Sequence, residues 1–303
     1  MIEDLRRQQI EHVRQKKREG RWKVFISFTL VLSVLVAVFC LNAYQNKTFE
    51  ITYYTHRSDK IKDSFKIALL CDLHNTEFGG GNQQLIQAVA EEKPDLILIA
   101  GDMVNQTESD VSVAVFLCQE LVKLAPTYYC YGNHEGTLMH EGIDGVKIPI
   151  DQYVEEAGAV FFRQSFYHLE VKGNPIDLGA ISTGLSGYEK WGAYKANELE
   201  AADEEDFKIL ISHHPDLYYE KLKEVKVDLA LAGHYHGGQI RIPGLGGLYH
   251  PNGGFFPKYD GGSYLLEYAE LIVSRGLGNH SIIPRINNKP ELVIINICND
   301  ETR

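Results

Sequence analysis

FKIALLCDLH (residues 65–74) holds an apolar run of strand length, unbroken from Ile67 to Cys71, that ends at once in an aspartate and a histidine two positions apart. Such a run reads as a strand buried on both faces, and in open α/β sheets functional groups gather on the loops beyond the carboxyl ends of strands. Four further runs end in the same manner. Leu96 to Ala100 leads into Gly101-Asp102, and Tyr128 to Tyr131 into Gly132-Asn133-His134-Glu135. Ile209 to Ile211 leads into Ser212-His213-His214-Pro215, and Leu229 to Ala232 into Gly233-His234-Tyr235-His236. Taken singly, each polar residue could be a turn or cap residue. Five strands delivering Asp, Asn and His to one sheet edge are hard to explain by core packing.

Strand-like and helix-like segments alternate around these runs. Asn82 to Glu92 places Leu85, Ile86, Val89 and Ala90 at helical spacing, and Ser112 to Leu124 repeats the pattern with Val113, Phe116, Leu117 and Leu121. Residues 136–206 are less regular, with short runs at 160–162, 167–171 and 176–180 that suggest an antiparallel portion. Later strands are expected at 239–242, 264–268, 271–274 and 292–297, separated by Gly-rich loops. The pattern predicts an α/β fold, one domain over residues 65–303, and a polar connector at 45–64 with a short strand at Ile51 to Tyr54.

Oxygen and nitrogen donors without thiolates suit Mn, Fe, Zn and similar ions. Asp72 and His74 can converge on one ion, Asp102 can bridge two through its two oxygens, and Asn133 offers a neutral carbonyl. His213, His234 and His236 complete two sets, with His213 and His214 competing for one position. Two metals about 3.5–4 Å apart can bind one phosphoryl group and activate water. His134 sits beside a ligand and can protonate or stabilise a leaving oxygen. The five cysteines form no C-x-x-C pair and read as neither a disulfide framework nor a zinc knuckle.

The blocks D-x-H, G-D, G-N-H-E, H-x-P and G-H-Y-H resemble, in order and spacing, the signature of the calcineurin-like metallophosphoesterases. The likeness runs on through Pro257-Lys258-Tyr259, Ser274-Arg275-Gly276-Leu277-Gly278 and Pro290-Glu291, which is similar to a bacterial membrane-anchored or exported subgroup. It implies a four-layer αββα sandwich of two mixed β-sheets. It also implies one divalent metal held by Asp72, His74, Asp102 and His236, a second held by Asp102, Asn133, His213 and His234, and a catalytic His134. The H-x-P pattern favours His213 over His214. Tyr235 stands where a Thr is more usual, and Asn105 where an Asp is, neither being a ligand of the pattern. The reaction implied is hydrolysis of a phosphomonoester or phosphodiester by a metal-bound hydroxide. Arg275 reads as a structural ion pair ahead of a phosphate contact, and His12, His56, His140, His168, His250 and His280 as ordinary polar positions.

The chain of 303 residues is 44% hydrophobic and 23% charged, with a formal net charge of −11. That charge is uneven. Residues 1–23 carry eight Lys/Arg against four Asp/Glu, residues 24–44 carry none, and residues 45–303 carry 22 Lys/Arg against 37 Asp/Glu. So acidic a body is not expected to bind nucleic acid, because that affinity rests on basic groups neutralising phosphates. The uncharged stretch of residues 24–44 would rise about 31 Å as a helix, enough to cross a hydrocarbon core. Six basic residues from Arg14 to Lys23 precede it, and the positive-inside rule then puts residues 1–23 in the cytoplasm and the domain across the membrane. An uncleaved signal anchor is expected. A cleaved signal peptide is the competing reading, against which stand the long leading segment and the lack of a clear small-x-small site. An anchored enzyme would meet lipid or envelope-derived phosphoesters. A non-catalytic metal-binding module on the same fold and a metal-dependent nuclease are the alternatives.

Overall fold

The computed structural model describes residues 2–163, 165–182, 192–250, 253–281 and 283–300. Two compact units emerge, residues 1–47 and 48–303. The first holds one helix, α1 (Ile2–Gln45). Its segment Arg14–Tyr44 is long and apolar enough to cross a membrane by length and composition, and its apolar window is not buried within the protein. Thr29, a polar interruption of that window, returns its hydroxyl to the carbonyls of Phe25 and Ile26, as a hydroxyl in an apolar helix does.

The second unit begins with β1 (Glu50–Ser58), β2 (Phe65–Leu70), α2 (Gln83–Glu92), β3 (Leu96–Ile99), α3 (Ser112–Leu121) and β4 (Thr127–Tyr129). There follow α4 (Asn133–His140), α5 (Ile150–Glu156), β5 (Val160–Phe161), β6 (Phe166–Val171), β7 (Asn174–Ile181) and α6 (Ala193–Glu200). Next come β8 (Phe207–Ser212), α7 (Asp216–Glu220) and β9 (Leu229–Ala232). Two short ribbons pair β10 (Arg241–Ile242) with β11 (Gly246–Gly247) and β12 (Tyr249–His250) with β13 (Gly254–Phe255). The chain closes with β14 (Gly262–Leu265), β15 (Glu270–Val273) and β16 (Glu291–Asn299).

Two six-stranded mixed sheets result, ordered β1-β16-β2-β3-β4-β5 and β14-β15-β9-β8-β7-β6. Side-chain alternation along each strand explains why they stack. Ile67, Leu69, Leu96 and Leu98 of the first sheet meet Ile209, Ile211, Leu229 and Leu231 of the second in one dry layer. The intervening Ala68, Leu70, Ile97 and Ile99 face the other way, onto Leu85, Val89, Leu117 and Leu121 of α2 and α3. Leu210, Ala230 and Ala232 turn from the second sheet onto Ala196 and Leu199 of α6 and Leu217 of α7. This is the four-layer αββα sandwich.

Two segments differ from expectation. The short strand expected at Ile51 to Tyr54 within the connector is longer, the nine-residue β1, paired in parallel with β16 from Glu50↔Glu291 to Ser58↔Asn299. An edge strand with one wetted face looks polar in sequence. The run at 160–162 is also not part of the antiparallel portion: β5 pairs in parallel with β4, while β6 and β7 form the antiparallel hairpin.

Candidate metal centre

β2, β3 and β4 run parallel in one sheet and β8 and β9 in the other, and the chain beyond their carboxyl ends holds all five polar clusters. The loops are stitched to each other. Asp72 N–H donates to Gly101 O at 2.9 Å, His74 N–H to Asp102 O at 3.1 Å, and Gly233 N–H to His213 O at 3.1 Å. The turns are sharp enough to strain the backbone. Asp72, His74, Asp102, His234 and His236 all have positive φ, between 46° and 68°. For residues with a Cβ this conformation costs on the order of 1–3 kcal/mol each and clusters at functional sites. Gly276, at φ 74°, lies where a side chain would strike the Asp72 side chain at 2.6 Å.

Six of the seven expected ligands come together in two overlapping groups, and the seventh, Asn133, is the chain neighbour of His134, which joins one of them. His74 Nε2 and His236 Nε2 lie 3.2 Å apart, with Asp72 Oδ1 at 3.7 Å from His236 Nε2. His213 Nε2 lies 3.0 Å from Asp102 Oδ2 and 3.2 Å from His234 Nδ1. Donor atoms of Asp102, His213 and His234 fall within 4.8 Å of one another, as do those of His74, Asp102 and His134. His213 Nδ1 lies 2.7 Å from Ala100 O, so that N–H points away and Nε2 is turned toward the cluster. His214 instead packs its ring against His234, centroids 4.1 Å apart.

This donor set fits divalent ions. The side-chain oxygen Oδ1 of Asn133 is buried and meets no hydrogen-bond donor. Such an orphan calls for an unrecorded partner. Asp72 and Asp102 are both buried. Burial pushes the Asp72 carboxyl up to about 6, with the Asp102 charge adding to it and His213 opposing. Burial pushes His74, His234 and His236 well below the usual imidazole range, the form in which histidine ligates metals. At His213 burial is outweighed by the Asp102 carboxylate, which lifts it to about 10. Paired buried carboxylates thus demand positive charge, and oxygen and imidazole donors of this kind accommodate it.

His134 opens α4. Its Nδ1 accepts the Gln106 N–H at 3.0 Å, which leaves the ring hydrogen of the neutral form on Nε2, 3.9 Å from Asp102 Oδ2. Burial pushes its pKa down to about 4.

Other residues border the centre without having been read as part of it. His280 sets its ring 4.2 Å from that of His74 and 4.5 Å from that of His134. His250 lies 4.7 Å from His234. Neither follows one of the long apolar runs with a ligand spacing, so the sequence offered no signal. Arg285 is buried, donates to the carbonyls of Arg275, Gly276 and Gly278, and faces His236 Nδ1 at 3.1 Å. Arg275 forms the structural ion pairs expected, with Glu50 at 2.5 Å and Glu291 at 2.7 Å. Tyr235 is buried, its hydroxyl 3.1 Å from that of Tyr219.

Comparison with known proteins agrees with this geometry. The family model for the calcineurin-like phosphoesterase matches residues 65–238, and the chain belongs to that family. It is 26% identical over 286 residues to the uncharacterised metallophosphoesterase YkoQ of Bacillus subtilis, covering 88% of this chain and 98% of the relative. Over 260 residues it is 26% identical to the uncharacterised metallophosphoesterase YkuE of the same organism, covering 82% and 85%. It is 29% identical over 249 residues to the phosphodiesterase YaeI of Escherichia coli, covering 80% and 86%.

Proposed function

We propose that this chain hydrolyses a phosphomonoester or phosphodiester with two divalent ions of Mn, Fe or Zn type. The observation that carries the reading is the convergence of imidazole and carboxylate donors from the loops after five strands, one of which also holds the buried, unpartnered Asn133 Oδ1. Asp72, His74, Asp102 and His236 would hold one ion, and Asp102, Asn133, His213 and His234 the other. When bound, the ions screen the phosphoryl oxygens and lower the pKa of water. Asp102 stands between the groups, its Oδ1 accepting the His134 N–H at 2.8 Å and its Oδ2 3.0 Å from His213 Nε2, and would serve both ions. His134, with the Gln106 amide on Nδ1, presents Nε2–H to the phosphoryl or departing oxygen. The name of the Escherichia coli relative supports a diester substrate.

The reading extends to place. Residues 24–44 serve as a single-pass anchor, residues 1–23 stay in the cytoplasm, and the domain works outside it on a phosphoester at or near the membrane. Full-length protein in lipid nanodiscs, stripped and reloaded with Mn, Fe or Zn, is to be assayed on p-nitrophenyl phosphate and bis-p-nitrophenyl phosphate. Turnover that needs metal and falls sharply in both His134→Ala and Asp102→Asn is expected. Unchanged turnover in both variants would remove the mechanism. An interaction module on the same fold would bind metal and turn over neither ester.

A further inference from the structure

A cleft of about 290 Å³ opens beside the metal centre, lined by Gly238, Ile240, Leu248, Tyr249, Phe255 and Ile283 among others, and its wall presents only apolar surface. Three separate segments build both the cleft and the border of the centre. His236 belongs to the ligand group, and Gly238 and Ile240, two and four residues on, line the cleft. His250 packs on His234, and its neighbour Tyr249 lines the cleft. His280 packs on His74 and His134, and Ile283 lines the cleft. Each segment therefore turns an imidazole toward the phosphoester site and an apolar side chain into the adjoining groove.

The groove is not closed by the protein's own core. Of its lining, Phe255 is 73% exposed and Ile283 37%. The ribbon pairing Tyr249 with Phe255 holds those two rings 5.1 Å apart as one wall. Exposed aromatic and aliphatic side chains gathered at a cleft of this size mark a ligand surface. Gln239 is the one amide side chain of the lining, and its Oε1 is buried, so the exposed wall offers no polar surface to orient a sugar or a base.

We infer that the cleft binds an alkyl chain carried by the substrate itself, making the physiological substrate an amphiphilic phosphoester whose phosphate sits in the metal centre. This rests on the phosphoesterase reading and narrows its substrate class. An apolar segment fit to cross a membrane would keep the domain where such molecules reside. The chain and the phosphate need not be far apart, because Gly238 and His236 share one turn.

The test uses the full chain in phosphatidylcholine nanodiscs, metal-loaded, with empty discs as the partition control. n-Alkylphosphonates from methyl to hexyl are titrated by calorimetry, and alkyl p-nitrophenyl phosphodiesters of the same lengths are assayed. A chain entering the cleft raises both affinity and kcat/KM by roughly two- to fourfold per methylene. The hexyl-to-methyl ratio is then compared within Phe255→Ser and within Ile283→Ser, both at exposed positions, and should shrink in each. A flat series in the native protein, or an undiminished ratio in both variants, overturns the inference. Failure to turn over even the methyl diester counts instead against the phosphoesterase reading, while the phosphonate titration still reports on the cleft.

Discussion

Glu135 Oε2 accepts the backbone N–H of Asp102 at 2.9 Å and that of Gly132 at 2.8 Å, tying the loop after β3 to the loop after β4. Its other oxygen takes the Met103 N–H at 2.7 Å and the Tyr129 hydroxyl at 2.7 Å. One fully buried carboxylate thus fixes the backbone from which Asp102, Asn133 and His134 project. Glu135→Gln keeps the shape but turns donor hydrogens toward donors. Chemical unfolding should show a loss of about 2–4 kcal/mol, and metal content should fall with it.

Asn133→Ala removes the carbonyl that has no partner within the protein. Bound metal, measured by elemental analysis after dialysis, should drop from two equivalents toward one. The affinity loss for the weaker ion should be at least the 10–100-fold that losing even an outer partner typically costs. Thermal stability without metal should change little. Two tightly held ions in the variant would take Asn133 out of the ligand set.

Much of this centre was legible in the chain. The five apolar runs are central parallel strands buried on both faces, and such strands read as continuous hydrophobic stretches with the site residues directly after them. Edges were harder. β1 exposes Tyr53, Thr55 and Arg57 because one face is wet, so only its Ile51 to Tyr54 portion stood out from a polar connector. His250 reaches the centre from the short ribbon β12–β13 and His280 from an irregular segment, both on paths set by tertiary contacts, such as the buried Arg285 that collects three carbonyls of residues 275–278. Glu135 was visible as part of a block, but its role as an acceptor of amides from two loops depends on how those loops approach.

His134→Ala should lower turnover about 10²–10⁴-fold, the range typical of one positioned acid–base group. Metal stoichiometry should stay at the native value, because His134 is not among the proposed ligands. Elemental analysis beside kinetics separates the two effects. Loss of metal in this variant would move His134 into the ligand set.

His168 gives a pH signature remote from the centre. Its Nδ1 contacts Asp177 at 3.0 Å and Asp206 at 3.2 Å, and the bond to Asp177 raises its pKa above the usual 6.5. A group whose folded pKa is raised contributes stability that is full below the unfolded value and is lost as pH rises through the folded one. Stability measured by denaturant titration should therefore decline with rising pH in the window above 6.5. His168→Ala should flatten that part of the curve, and an unchanged slope would deny His168 this role.

The pair of divalent ions is tested most directly by elemental analysis of the full-length protein alongside hydrolysis of bis-p-nitrophenyl phosphate, before and after chelation. Two equivalents of metal, activity abolished when they are removed, and activity regained on reloading are the expected result. Full activity from protein that neither contains nor takes up such ions would contradict the account.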